Sequence, residues 1–213
     1  DAGFTTAIVA GMGGSSLAPE VLATAFAEID DWLKVRVCDS TDPAAVAAAL
    51  RGLDPKKTLV IVASKSGTTT ETLSFAAYAA EWIGAAVGGA ESALSSMIAI
   101  SDPSPCIDGI PGNEKMLDRF LNPADIGGRY SALSFVGLVP ASLLGIDLDP
   151  LLASGSAAIA QSRDPEPAGN HALALGCIMG ALAREGRDKM TLIVDEPIDG
   201  FGAWAEQLVA EST

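Results

Sequence analysis

Thr58-Leu59-Val60-Ile61-Val62-Ala63-Ser64-Lys65-Ser66-Gly67-Thr68-Thr69-Thr70-Glu71-Thr72 is the stretch on which the fold turns. Its first six residues form an apolar run of strand length, and residues 71–83 carry apolar side chains at helical spacing. Between them lies a turn crowded with hydroxyls, so the stretch reads as strand, turn and helix start. Seven of the nine residues 64–72 are Ser, Thr or Lys, and each can donate a hydrogen bond. A helix N-terminus presents unpaired N–H groups and the positive end of the helix dipole. Donors gathered there make a pocket for a dianionic phosphate. A helix cap alone needs one hydroxyl from Thr68–Thr70, not the whole set.

The same strand-turn-helix pattern recurs on either side. Thr6 to Ala10 runs into Gly11-Met12-Gly13-Gly14-Ser15-Ser16, and 17–29 then has helical spacing. A dinucleotide fingerprint would need glycine at Ser16, so this turn supplies no argument for a nicotinamide cofactor; tight-turn glycines explain it equally well. Val35 to Asp39 reads as a strand, Pro43 to Leu50 as a helix capped by Asp42, and Ser96 to Ser101 as a fourth strand. Alternating strands and helices predict an α/β fold, a three-layer doubly wound parallel sheet flanked by helices. In such sheets ligands collect beyond the carboxyl ends of the strands, where both the glycine turn and the Ser64 turn fall.

Further along, residues 102–112 are rich in proline and glycine and read as a loop, and Met116 to Leu121 as either an edge strand or a helical turn. Asn122-Pro123-Ala124-Asp125-Ile126-Gly127-Gly128-Arg129-Tyr130-Ser131 places an arginine after two glycines, where a guanidinium could approach a ligand oxygen or simply sit exposed in a turn. Helices are predicted over 132–144, 151–161 and 172–185, with Gly145 and Gly186 as C-caps. His171, the one histidine, is read as a local structural residue because no acid or nucleophile stands beside it. Met190 to Val194 is predicted as a fresh strand, and 201–213 as a helix with Gln207 and Glu211 one turn apart on one face. The organisation expected is a domain over 1–145, then linking helices and the first β-α unit of a second α/β domain over 146–213. The abrupt start at Asp1-Ala2-Gly3 suggests that a segment precedes it.

Composition narrows the partners. The chain of 213 residues is 49% hydrophobic, ample for a core, and carries a net charge of −14 from 13 basic and 27 acidic residues. That charge repels nucleic acid, and it also means that any phosphate site must work through local dipoles and donors. Cys38, Cys106 and Cys177 are too widely spaced to suggest a disulfide framework or a zinc site, which points to a reducing cytoplasm. No apolar run reaches the roughly 18 residues that span a bilayer, so no membrane partner is expected.

Taken together, Gly11 to Ser16, Ser64 to Thr72, Gly127-Gly128-Arg129-Tyr130-Ser131 and Gln207-Leu208-Val209-Ala210-Glu211-Ser212-Thr213 resemble the glucose-6-phosphate isomerase family. The four motifs stand in the family's order and span nearly the whole chain. They cover the family's first sugar-isomerase (SIS) domain and the entry to its second. The resemblance implies that Ser64, Lys65, Ser66, Gly67, Thr68, Thr69 and Thr72 hold a sugar phosphate, partly through main-chain N–H groups, while Gly14, Ser15 and Gln207 line the sugar cleft. It implies Glu211 as the base that moves a proton between C1 and C2, and Arg129 as the stabiliser of a cis-enediolate, with no cofactor and no metal. The substrates would be glucose 6-phosphate and fructose 6-phosphate. Gly67 resembles bacterial members, including fusions in which a transaldolase comes first.

The family's ring-opening histidine and a further catalytic lysine have no match here, and His171 lacks the histidine's motif. The 213-residue chain alone is therefore expected to lack measurable isomerase activity. The competing reading is a sugar-phosphate sensor built on the same SIS domain, for which the Ser64 turn would suffice; Arg129 and Glu211 separate the two, because a sensor needs no base. A P-loop nucleotide hydrolase is set aside for want of its Gly-Lys-Ser/Thr. The oligomeric state stays open, a homodimer being one option for the longer protein.

Overall fold

The computed structural model describes residues 3–26, 29–196, 198 and 200–213. Five strands, β1 (Thr6–Ala10), β2 (Lys34–Cys38), β3 (Thr58–Ala63), β4 (Met97–Ser101) and β5 (Asp118–Leu121), form one sheet in the order β2-β1-β3-β4-β5. Every pairing is parallel, with Thr6 opposite Lys34 on one side and Thr58 on the other. The helices are α1 (Gly14–Ala25), α2 (Pro43–Leu50), α3 (Thr70–Val87), α4 (Ala90–Ala93), α5 (Phe135–Leu143), α6 (Leu148–Gln161), α7 (His171–Arg184) and α8 (Phe201–Ala210). The doubly wound α/β architecture predicted from the sequence is the one observed.

β1, β3 and β4 are buried throughout, and apolar but for Thr6, Thr58 and Ser101 at their ends, because both their faces are covered. Side chains alternate between two cores, as strand geometry requires. Ile8, Ala10, Val60 and Val62 pack with Phe75, Ala79 and Ile83 of α3. Ala7, Val9, Leu59 and Ile61 pack with Val136 and Val139 of α5. Each fully buried Ile or Val here stabilises the fold by about 1.5–3 kcal/mol relative to exposure. The chain leaves β1 towards β2, then returns past β1 to β3. In a sheet of this order the turns after β1 and β3 diverge to opposite faces and leave a crevice at the carboxyl edge.

Local signals placed most elements. Asp42 caps α2, its Oδ1 accepting from the N–H groups of Ala44 and Ala45 at 2.9 Å. Gly145 and Gly186 end their helices in the left-handed conformation, with φ of 82° and 83°. The first helix, expected over 17–29, runs from Gly14 to Ala25, and positions 27 and 28 lie outside the described residues. The helix expected over 132–144 is divided: a 3-10 segment covers Gly128–Leu133, and α5 begins only after Ser134, whose Oγ accepts from the Val136 N–H. Met116 to Leu121, open between strand and helical turn, holds the edge strand β5.

One element is corrected. Met190–Val194, expected as a strand, has irregular backbone. Among the described residues no strand lies beside it to complete a ladder, and an unpaired extended segment has no stability of its own. Ile193 is 94% exposed.

Contacts divide the chain into two compact units, residues 1–146 with 195–213, and residues 147–194. In the first, α8 packs on α1 and on the Gly128–Leu133 segment. In the second, Asn170 organises the connection between helices: its Nδ2 donates to Ser162 O and Asp164 O, and its Oδ1 accepts from the Leu173 N–H. His171 is exposed on the first turn of α7, so the local structural role expected of it belongs to Asn170. No residue of α6 or α7 is buried, although Ile159, Leu175 and Ile178 lie on them.

Candidate functional site

The turn after β3 is held from behind and open in front. Ser64 donates its N–H to Ile100 O at 3.0 Å, and Lys65 O accepts from Asp102 N–H and Ser101 Oγ, both at 3.2 Å. Gly67 has φ of +67°, and a Cβ there would lie 1.7 Å from Cys106 O, so only glycine lets this turn press against the following loop. The hydroxyls are knit together: Ser64 Oγ donates to Thr69 Oγ1 at 3.0 Å, Ser66 Oγ and Thr68 Oγ1 are 2.9 Å apart, and Ser66 Oγ accepts from Thr68 N–H. None of them caps α3; its N-cap residue, Thr69, makes no side-chain cap bond. The 18-residue helix therefore presents bare N–H groups and its dipole to the crevice. Thr72, on its first turn, buries Oγ1 without a partner among the described residues. Backbone donors, hydroxyls and a positive dipole together suit a phosphate.

Lys65 takes a different place from its neighbours. Its ammonium pairs with the buried Asp102 and donates to Ala124 O at 3.0 Å. A phosphate role for Lys65 is thus left to its main-chain N–H. Its side chain instead ties the Ser64 turn to the segment that leads to Arg129. Asp102 directly follows β4 at the carboxyl edge, and sequence reasoning passed over it as part of a loop.

The turn after β1 and the C-terminal residues form the other half. Gly14 opens α1, and a Cβ there would lie 2.2 Å from Gly128 O and 2.9 Å from Arg129 N, so its bareness admits the Arg129 backbone. Ser15 is buried beside it. Gln207 of α8 brings Nε2 within 2.8 Å of where a Gly13 Cβ would stand. One turn later Glu211 caps α8, its N–H donating to Gln207 O at 3.2 Å. The Glu211 Oε2 accepts from Arg129 Nη1 at 2.7 Å. Arg129 also donates from Nε to Ser212 Oγ at 3.1 Å, and Tyr130 Oη donates to the same oxygen at 2.9 Å. The fold thus brings together Gly14, Arg129, Gln207 and Glu211, drawn from segments far apart in sequence. Tyr130 and Ser212 were missed as members, although each lies in a motif quoted above and adjoins a named residue.

Among the described residues no three His, Cys, Asp or Glu side chains cluster to hold a metal. Two depressions, of about 250 Å³ between α2 and α3 and about 330 Å³ beside α3 and α4, contain none of the candidate residues. No helix is long and apolar enough to cross a membrane, among the described residues.

A family model described as phosphoglucose isomerase matches residues 2–213. The chain belongs to this family. Relatives called glucose-6-phosphate isomerase include one from Thermus thermophilus, 39% identical over 68% of this chain and 34% of its own length. One from Citrifermentans bemidjiense is 34% identical over 98% of this chain and 40% of its own. The chain therefore spans between a third and two fifths of these curated relatives. A solved structure of a hypothetical protein from Thermus thermophilus superposes with TM-score 0.85 at 32% identity, over 98% of this chain and 49% of that one. A glucose-6-phosphate isomerase from Chlamydia trachomatis gives 0.78 at 26%, over 97% and 40%. Phosphoglucose isomerase membership rests on residues beyond the four motifs, since the family match runs through the loops and the 147–194 unit as well.

Proposed function

We propose that the protein carrying this chain is a glucose-6-phosphate isomerase, interconverting glucose 6-phosphate and fructose 6-phosphate through a cis-enediolate. The reading rests on one observation above the rest: a carboxylate, Glu211, held 2.7 Å from the guanidinium of Arg129 beside the glycine turn. The sugar phosphate sits on the N-terminus of α3, with Ser64, Ser66, Gly67, Thr68, Thr69, Thr72 and the Lys65 N–H around it. Glu211 removes the proton from C2 of the open-chain aldose, and the carbonyl oxygen at C1 gains the charge. Arg129 stabilises that enediolate. The same carboxyl returns the proton to C1, while the proton of the O2 hydroxyl passes to the charged O1, and the ketose results. Gln207, Gly14 and Ser15 line the sugar. A positioned base contributes roughly 10²- to 10⁴-fold, and donors aimed at a developing oxyanion a further few kcal/mol.

The test is incubation of the protein with fructose 6-phosphate in deuterated water, following label at the exchanging carbon by NMR. Label should enter at C2 of the glucose 6-phosphate formed. In Glu211→Gln exchange should cease while substrate affinity stays within about tenfold, because the amide keeps the shape without the basicity. Normal exchange in that variant would assign the base elsewhere.

We also propose that 146–213 links to a second α/β domain. The exposed apolar side chains of α6, α7 and Ile193, together with the greater length of the relatives, support this. Amide exchange across α6 and α7 in the longer protein should be slow, as for helices covered by a further domain. Rapid exchange there would count against it.

A further inference from the structure

We propose that Ser212 and Tyr130 are positioning residues that lock Arg129 to Glu211, fixing the oxyanion donor and the base as one unit. The inference rests on the roles given to Arg129 and Glu211 above. An exposed ion pair alone holds its geometry weakly, because two long side chains must give up rotamer freedom for one contact in water. Arg129 and Glu211 are such a pair, with side chains 34% and 52% exposed. Yet the guanidinium has a second attachment, from Nε to Ser212 Oγ at 3.1 Å, on the residue next to Glu211. Two bonds from a rigid planar group to adjacent residues restrict its rotation about either one.

Ser212 is itself held. Its Oγ accepts from Tyr130 Oη at 2.9 Å as well as from Arg129, filling both lone-pair positions, and its N–H donates to Val209 O at 3.1 Å. The Tyr130 ring lies against Gly127, where a Cβ would stand 3.2 Å from its Cδ2, and the Tyr130 N–H donates to Gly127 O at 2.9 Å. The first glycine of the Gly127-Gly128 pair thus seats the ring that orients Ser212. Glu211 lies one residue beyond the end of α8, where a helix terminus frays most readily. The Tyr130–Ser212–Arg129 bonds fasten that end to the 3-10 segment Gly128–Leu133. Arg129 Nη2 makes no bond to the described residues and stays available for an oxyanion.

The test uses the protein that carries this chain, with three readouts: isomerase kinetics, affinity for an aldonate phosphate whose planar carboxylate mimics the enediolate, and affinity for inorganic phosphate. Ser212→Ala should lower kcat and aldonate phosphate affinity about tenfold, with KM and inorganic phosphate affinity within about twofold. Ser212→Thr, which keeps the hydroxyl, should restore most of the loss, and Tyr130→Phe should fall between. Parent-like kcat and aldonate affinity in Ser212→Ala would overturn the proposal, as would an equal loss of inorganic phosphate affinity, which marks a general structural effect. Should the parent neither turn over nor bind the aldonate, the isomerase reading fails instead. The lock is then read from the Arg129 Nε–H NMR signal, whose exchange with water should be slow in the parent and fast in Ser212→Ala; equal rates would overturn it.

Discussion

Arg129 meets Glu211 and Ser212 through different nitrogens, so the shape of the guanidinium matters as much as its charge. In the protein carrying this chain, Arg129→Lys should therefore lower turnover by on the order of 10²-fold, since a point charge cannot replace a planar fork. The melting temperature should move by no more than about 2 °C, because an exposed pair adds little stability. Turnover within twofold of the parent would remove Arg129 from the chemistry. Glu20 gives a prediction of a different kind. Although Glu20 is exposed, partial desolvation by its neighbours, and then Asp39, push its carboxyl above the ordinary value of 4.5. A raised carboxyl means that the folded state holds the proton more tightly than the unfolded chain. The native state therefore loses stability as pH climbs from 4.5 through the folded value, and the loss is constant above it. Glu20→Gln should raise the urea midpoint at neutral pH, with the gain vanishing below about pH 4; an equal gain at both would point to packing instead. At this scale the motifs named Arg129, Gln207 and Glu211, but not what holds them. The bonds of Tyr130 and Ser212, and the Asp102 partner of Lys65, cross sequence separations that a linear reading does not span.

The N-terminus of α3 joins stability to the proposed phosphate site within one element. Thr72 buries a hydroxyl with no partner among the described residues, a condition that costs about 1–3 kcal/mol. Thr72→Val keeps the shape and removes that cost, so the ligand-free protein should gain about 1 kcal/mol while its phosphate affinity drops. The measurement is a pair of thermal melts, with and without phosphate. The parent should gain about 2.7 kcal/mol at a phosphate concentration 100 times its Kd, and the variant less at the same concentration. A variant less stable without phosphate, yet equally stabilised by it, would show that Thr72 bonds within the fold and not to the anion. The elements themselves were largely legible. β1, β3 and β4 are buried on both faces and so are written as apolar runs with a single hydroxyl residue at one end, and α2 announces itself through Asp42. Met190–Val194 is the opposite case, because its composition asks for a strand while a strand also needs a neighbour, and composition says nothing of neighbours. The division at Ser134 escaped for a related reason: apolar spacing continues through it, and only the serine's extended backbone and its bond to Val136 N–H show where α5 begins.

For the chain as a whole, the net charge of −14 acts against the phosphorylated ligand proposed for it. At low ionic strength the negative field reaches about 30 Å into solution, and at 0.15 M only about 8 Å. At the site proposed above, a sugar phosphate approaching from bulk should therefore be repelled at long range and captured only when the dipole of α3 and the hydroxyls of the Ser64 turn act on it directly. The expected consequence is an association rate that rises with sodium chloride, by a few-fold between about 10 and 150 mM, whereas attraction steered by opposite charge would make it fall. The dissociation rate should change less, since direct hydrogen bonds from the turn and the helix N-terminus act at short range and are screened least. Stopped-flow binding of glucose 6-phosphate across that range would measure both rates. An association rate that fell with salt would mean that Arg129 and Lys65 dominate the field at the crevice mouth. Lys65→Met, which leaves Asp102 without its cation, should then slow capture further; if instead the rate rises with salt in the parent, the same variant should steepen that rise.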